Sequence, residues 1–371
     1  MAYKVLVLKG DGIGPEVVSE AQQIIKLVAR RSAVDIEFKE GIIGGHAIDQ
    51  FGKPLPDDVL VNAKDSDAIL LGAVGGPKWD NPSADKRPEQ ALLGLRKELG
   101  LFANLRPVKT VKELIPSSPL RPEVINGVDV AIIRELTGGI YYGKPSERRQ
   151  GKEGREAVDT CIYSEAEIAR VIRFGFELAR NRRKKLTSVD KANVLSTSRL
   201  WREIAAEVAR DFKDVAFENQ LVDSMAMHLL RRPRDFDVVV TENMFGDILT
   251  DEASMLAGSM GLLPSASLGE DINSAGFRVG LYEPIHGSAP DIAGRDEANP
   301  LAAILSAAML LDHSLGMRSE AELVERAVES VIHDGYRTRD LGTAAQGRQV
   351  GCKAMGRLVR ERIESLEPEA G

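Results

Sequence analysis

The stretch VVVTENMFGDILTDEASMLAG, residues 238–258, reads as a short strand that runs straight into a helix, with Phe245, Ile248, Leu249, Met255 and Leu256 as its apolar residues. The same unit repeats on either side of it. VLVL (5–8) leads into EVVSEAQQIIKLVARR, AILLGAV (68–74) follows a second helical segment, and VDVAIIRE (128–135) ends at a glycine turn. EAEIARVIRFGFELARNRR (165–183) has apolar residues at helical spacing, and LTSVDKANVL (186–195) after it reads as a strand. LWREIAAEVARDF, VAFEN and LVDSMAMHLLRR continue the alternation up to residue 238. Strands interleaved with helices of this length predict an α/β protein whose largely parallel sheet is covered on both faces. One segment breaks the pattern. GKPSERRQGKEGREAVDTCIYS (143–164) is polar and glycine-bearing, then briefly β-like, and fits a protruding arm or hairpin.

The chain has 371 residues, 43% hydrophobic and 28% charged, which suits two medium domains or one large unit with a substantial core. A formal net charge of -7 argues against a general nucleic-acid binder. Cys161 and Cys352 are far apart, which excludes a disulfide framework and a zinc cluster and fits a reducing compartment. The apolar run near the N-terminus is too short for a signal-peptide core, and LAAILSAAMLL (301–311) is about half the ~20 residues a membrane span needs. The expectation is a cytoplasmic protein with neither a membrane nor a nucleic-acid partner.

Several motifs mislead. GDGIGP (10–15) sits where a Rossmann glycine loop would, but Pro15 replaces the third glycine and suits the first turn of a helix. GGIYYGKPS matches a phosphate loop from Gly138 to Lys144, then places Pro145 where a magnesium-binding hydroxyl belongs. RNRRKK (180–185) closes a predicted helix, where cations favour the helix dipole, so it need not be a nucleic-acid patch.

Asp247 and Asp251 fall four residues apart on the helix of the opening stretch. Like charges at that spacing repel by roughly 0.2–0.5 kcal/mol, so either the face is solvated or a cation lies between them. Asp223 in QLVDSMAMHLL is a third acid in an apolar helical context, and oxygen ligands of this kind suit Mg²⁺ or Mn²⁺. Arg96, Arg106 and Arg134 follow apolar runs, a setting in which guanidinium groups meet carboxylate or phosphate. Tyr141 follows the Gly138–Gly139 turn, and Lys191 lies within SVDKANV. A lysine there either snorkels outward or, if desolvated, serves as a general base.

Taken together, GDGIGPE, LLGLRKELGLFANLRP, RELTGGIYYG, SVDKANVL, NMFGDILTDEAS and EPIHGSAPDIAGRDEANP resemble the isocitrate/isopropylmalate β-decarboxylating dehydrogenases, from about residue 3 to about residue 355. The resemblance implies two α/β domains sharing one long mixed sheet, not a Rossmann fold. It gives residues 1–101 plus 258–371 to the first domain and 102–257 to the second, with substrate held in a cleft between them. It implies a homodimer in which the arm 143–164 pairs with a second subunit, and Lys191 and Asp223 enter the neighbouring subunit's active site. Arg96, Arg106 and Arg134 would hold the carboxylates of a malate core, Asp223, Asp247 and Asp251 the metal. Lys191 would take the hydroxyl proton, and Tyr141 would protonate the enolate carbon. Glu283, His286, Gly287, Ser288, Ala289, Pro290, Asp291, Ile292, Ala293, Gly294 and Asn299 match the cofactor-binding positions. A carboxylate at Asp291 repels a 2′-phosphate and favours NAD over NADP, although Arg295 lies close in sequence.

Isocitrate-acting members carry serine and asparagine at the places held here by Gln90 and Leu92. Leu92, Leu93 and Val194 offer an apolar lining, and Glu89 would repel an extra carboxylate. The implied reaction is oxidative decarboxylation of an isopropyl-substituted malate to 4-methyl-2-oxopentanoate, in leucine biosynthesis. Homoisocitrate, isocitrate and tartrate are alternative substrates. A Mg²⁺-dependent phosphoryl-transfer enzyme and a non-catalytic regulatory subunit are the readings from other classes. The first lacks a phosphate loop, and the second need not retain Tyr141, Lys191 and the three acids.

Overall fold

A computed structural model describes residues 2–80, 86–118, 120–342 and 347–366. Besides a two-residue pair near the C-terminus, its strands in chain order are β1 (Tyr3–Gly10), β2 (Ile36–Gly41), β3 (Ala68–Ala73), β4 (Ala103–Lys109), β5 (Asp129–Glu135), β6 (Ser146–Gly151), β7 (Gly154–Asp159), β8 (Lys185–Asp190), β9 (Ala216–Leu221), β10 (Val238–Thr241), β11 (Pro264–Ile272) and β12 (Arg278–Pro284). All except β6 and β7 belong to a ten-stranded mixed sheet. The chain divides into two compact units, one of residues 1–101, 111–119 and 257–371, the other of 102–110 and 120–256. Five strands of the sheet fall in each.

In the first unit the order is β2-β1-β3-β12-β11. β1 runs parallel to β2 and β3, and β12 is parallel to β3 but antiparallel to β11. Every residue of β3 (AILLGA) is buried, as a continuous apolar run in a two-sided sheet requires. The helix Leu301–His313 is buried nearly all round, which explains its LAAILSAAMLL sequence. No helix among the described residues is long and apolar enough to cross a membrane.

The GDGIGP stretch is a strand-to-helix turn, with Pro15 in the first turn of the helix Gly14–Arg31. Its glycines bring one loop against another. Gly12 has φ 56°, a Cβ there would lie 1.9 Å from the Ser288 carbonyl oxygen, and the Ile13 N–H donates to that same oxygen at 2.8 Å. The buried Asp11 carboxylate accepts from the backbone N–H groups of Gly45, His46 and Gly75, at 2.8, 3.0 and 2.9 Å. Asp11→Ala would strand these three donors. The expected loss is ~3–5 kcal/mol, or about 10 °C in melting temperature, read by calorimetry. An unchanged melting temperature would show that the turn does not depend on the carboxylate.

In the second unit the order is β4-β5-β10-β8-β9. β4 and β5 are antiparallel, β10 is parallel to both β5 and β8, and β9 is parallel to β8. The helix Glu165–Arg180 begins with a capping box, in which the Ser164 side chain accepts from the Glu167 N–H and the Glu167 carboxylate from the Ser164 N–H. Residues 146–159 form the antiparallel hairpin β6–β7, exposed on both faces. The basic run after the helix meets acids of its own unit: Arg182 pairs with Asp129 and Asp237 and Lys185 with Glu218.

One strand is shorter than its sequence suggests. β8 ends at Asp190, so Lys191 lies in the following turn rather than within an apolar strand. Asp190 ends the strand by accepting from the Ala192 N–H at 2.9 Å while Arg202 grips both of its oxygens at 2.8 Å.

Candidate active site

The opening stretch organises the chemistry of the second unit. The helix Asn243–Ala257 buries Phe245, Leu249, Ala253 and Leu256, and Arg134 at the end of β5 lies across its first turn. Gly246 makes room for this, since a Cβ there would fall 2.6 Å from Arg134 Cγ. Arg134 Nε donates to Asn243 Oδ1 at 3.0 Å and Nη1 to Asp247 Oδ1. The Tyr141 hydroxyl donates to the other Asp247 oxygen at 2.9 Å, and the Arg134 guanidinium lies 5.6 Å from the Tyr141 ring centroid. Arg106, on β4, donates to Thr250 Oγ1 at 2.6 Å and to Asn104 Oδ1 at 2.7 Å, and its Nη1 is 4.0 Å from Asp251. Arg106, Arg134, Tyr141, Asp247 and Asp251 are thus gathered along one helix edge. Both arginines are buried. Burial first, and the bond to Asp247 second, pushes the Tyr141 phenol above its usual pKa, so it holds the proton an acid must deliver.

The acids are less enclosed than apolar neighbours in the sequence suggest. The Asp251 side chain is 71% exposed, Asp223 is exposed, and Asp247 is half-buried. Ile248 and Met255 face outward beside them, because the helix buries only its opposite face. Lys191 and Asp223 form a separate pair at 2.8 Å, and that bond holds the Asp223 carboxylate below its ordinary pKa. Among the described residues, Asp223 does not join Asp247 and Asp251 as a three-ligand group. The cluster that does form, Glu16, Asp296 and Cys352, serves as scaffold: Glu16 accepts from the Gly294 N–H and Asp296 from the Lys353 N–H at the start of a helix. As a donor set, the paired carboxylates of Asp247 and Asp251 fit a hard divalent cation, with Asp251 open to solvent.

In the first unit Arg96, on the helix Glu89–Glu98, donates to Glu283 Oε1 at 2.9 Å, and its buried Nε has no hydrogen-bond partner among the described residues. The same helix carries Glu89 and Leu93 exposed, while Leu92 packs against the core. After β12 the chain enters a loop that borders a cavity of about 490 Å³, whose walls include His286, Ala289, Asp291, Ile292, Asn299 and Asp340. His286 Nδ1 contacts the Gly287 carbonyl, whereas its buried Nε2 has no partner among the described residues. Burial lowers the pKa of this ring and keeps it neutral. A neutral ring nitrogen facing a cavity with a carboxylate and an amide fits the sugar and base of a nucleotide. Gly287, Pro290, Ala293 and Gly294 complete the loop, with Gly294 at φ 77°, while Ser288 is held by the glycine turn. Val194, in the other unit, is 60% exposed.

The isocitrate/isopropylmalate dehydrogenase family model matches residues 4–359. The chain belongs to this family. As a member it is an oxidoreductase, and enzymes of the family use NAD and a divalent metal. It is 59% identical to a 3-isopropylmalate dehydrogenase of Priestia megaterium, over 92% of this chain and 91% of that one. It is 56% identical to that of Anaeromyxobacter dehalogenans, over 97% and 100%. Among solved structures it resembles an isocitrate dehydrogenase from Methylococcus capsulatus, with a TM-score of 0.84 and 34% identity over 97% of this chain and 99% of that one. A β-decarboxylating dehydrogenase from Thermococcus kodakarensis gives 0.78 and 35%, over 98% and 96%. The family fold is the mixed α/β sheet, not a Rossmann arrangement.

Sequence reasoning missed Asp11 and Asn243. An acid inside a glycine turn and an asparagine between a strand and a helix were the available signals for a buried polar anchor.

Proposed function

We propose that this family member oxidises and decarboxylates 3-isopropylmalate to 4-methyl-2-oxopentanoate, reducing NAD, as a step of leucine biosynthesis. The observation that carries the reading is the shared contact of Arg134, Tyr141 and Asp247, which sets a cationic carboxylate clamp, a proton donor and a metal-type ligand side by side. Identity of 56–59% to relatives named for this substrate supports it over the isocitrate reading.

Arg96, Arg106 and Arg134 bind the two carboxylates of the malate core through charge-assisted hydrogen bonds. Leu92, Leu93 and Val194 favour the isopropyl group, whose burial gains roughly 1.5–3 kcal/mol, whereas a γ-carboxylate against leucines loses solvation. Glu89 adds like-charge repulsion. Lys191 takes the proton of the C2 hydroxyl, and Tyr141 returns a proton to the enolate carbon left after loss of CO₂. Asp247 and Asp251, with Asp223, would hold Mg²⁺ or Mn²⁺. The metal supplies a Lewis acid for the developing enolate, and NAD supplies the hydride acceptor. Glu283 and the loop His286–Asn299 would position the nucleotide.

The enzyme is proposed to act in the cytoplasm as a homodimer, with Lys191 and Asp223 contributed to the neighbouring subunit's site. Met227 and Leu230 on the helix Val222–Arg231, with Ile248 and Met255, form an exposed apolar set suited to a second copy, and the hairpin β6–β7 would add to that contact.

The test is NADH formation from 3-isopropylmalate with and without Mg²⁺, with isocitrate and NADP⁺ as comparisons. Activity should need both metal and isopropylmalate, and kcat/KM should favour NAD⁺ at least about tenfold, because Asp291 opposes a 2′-phosphate. Turnover of isocitrate alone would overturn the substrate, and preference for NADP⁺ the cofactor.

A further inference from the structure

We propose that Asn243 is a positioning residue that fixes both the substrate-clamping arginine and the turn that carries the proton donor; this rests on the reaction proposed above. Asn243 is 1% exposed and sits where β10 gives way to the metal-bearing helix. Three of its polar groups have different tasks. The backbone N–H donates to the Tyr163 hydroxyl at 2.9 Å. Side-chain Oδ1 accepts from Arg134 Nε at 3.0 Å, and Nδ2 donates to the Gly138 carbonyl at 3.1 Å. Only one orientation of the amide satisfies both side-chain contacts.

Anchoring Nε restricts rotation of the guanidinium about its own axis, so the Nη atoms of Arg134 point toward Asp247 and the Tyr141 ring. Anchoring the Gly138 carbonyl holds the turn that leads to Tyr141. Tyr163 braces the same turn from behind. A Cβ at Gly138 would lie 2.6 Å from Tyr163 Cε1, and one at Gly139, where φ is 78°, would lie 2.6 Å from the Tyr163 oxygen. The Gly138 N–H is held in turn by Glu135 Oε2 at 2.8 Å. One neutral side chain therefore sets the distance between clamp and donor. Neutrality matters here. A carboxylate in its place would repel the Gly138 carbonyl and neutralise Arg134 before substrate arrived, and an apolar group would leave Nε without this acceptor.

The experiment measures 3-isopropylmalate binding by calorimetry in Mg²⁺ without nucleotide, together with amide hydrogen exchange at residues 138–141, in the full-length enzyme. Asn243→Ala should bind roughly ten- to a hundredfold more weakly than the original protein, the usual effect of removing an acceptor from a buried charged donor. Asn243→Asp, of the same shape, should also bind at least about tenfold more weakly, because its charge competes with the substrate's. Exchange at 138–141 should quicken in both, while exchange in β8 and β9 stays unchanged. If Asn243→Ala does not fold, Asn243→Asp decides. Binding within about twofold of the original protein, with unchanged exchange in the turn, would overturn the proposal. An original protein that fails to bind isopropylmalate would instead sink the substrate assignment, and the exchange data would still judge the anchor.

Discussion

Lys191→Met is expected to lower kcat by about 10²- to 10⁴-fold while leaving the protein folded and able to bind substrate. Methionine preserves length and apolar bulk but cannot accept a proton, so the variant isolates the base. The Lys191–Asp223 pair is 2.8 Å long with 26% and 60% of the two side chains exposed. A pair that open to water contributes little to stability, so melting should shift by no more than a few degrees. The hydroxyl proton must leave as hydride leaves C2, hence the loss should appear in single-turnover NADH formation and not in the dissociation constant for isopropylmalate. Lys191→Ala should recover part of its rate with added small primary amines, which can occupy the space left by the side chain. A Lys191→Met enzyme with kcat within about threefold of the original would remove Lys191 from the mechanism.

Much of the fold was legible because local and tertiary preferences agree. Val238–Thr241 is buried throughout and pairs in parallel with strands on both sides, which is what a continuous β-branched run asks for. The glycine turn at 10–15 was legible for the same reason: Pro15 could only open a helix there. Two features were not legible, since each is decided by side-chain contacts that hydrophobic patterning does not show. VDKANV alternates like a strand, yet the clamp from Arg202, twelve residues on, ends β8 at Asp190. The segment 269–282 turns β11 back onto β12 as an antiparallel pair. Asn273 Oδ1 accepts from the Ala275 and Phe277 N–H groups in that turn, and Gly276 adopts φ 89°. In the site, the arginines and acids were identifiable as charges in apolar contexts, and Tyr141 by the glycine turn before it. Asn243 was not, because an amide between a strand and a helix looks like an ordinary cap until Arg134 and Gly138 are seen on either side of it.

Asp251→Asn should separate metal binding from every other role of the helix edge. Its carboxylate is 71% exposed and, among the described residues, has only a distant contact, 4.0 Å, with Arg106, so the change removes a ligand and disturbs almost nothing else. Without metal the variant should be as stable as the original protein or slightly more so, since the like-charge pair with Asp247 costs roughly 0.2–0.5 kcal/mol. With metal the order reverses. Mg²⁺ should raise the melting temperature of the original protein but not of Asp251→Asn, and the Mg²⁺ concentration for half-maximal activity should rise at least about tenfold. The rate at saturating metal should fall by about 10²-fold or more, in keeping with the several kcal/mol that a divalent ion contributes to a developing enolate. Asp247→Asn should show the same loss of metal response plus a further defect, because Asp247 also holds the Tyr141 hydroxyl and Arg134. The two variants therefore differ in a diagnostic way: added Mn²⁺ should restore Asp251→Asn in part and Asp247→Asn hardly at all. If both keep the Mg²⁺ dependence of the original protein, the repulsion between these acids is relieved by solvent and not by an ion, and the metal does not bind here.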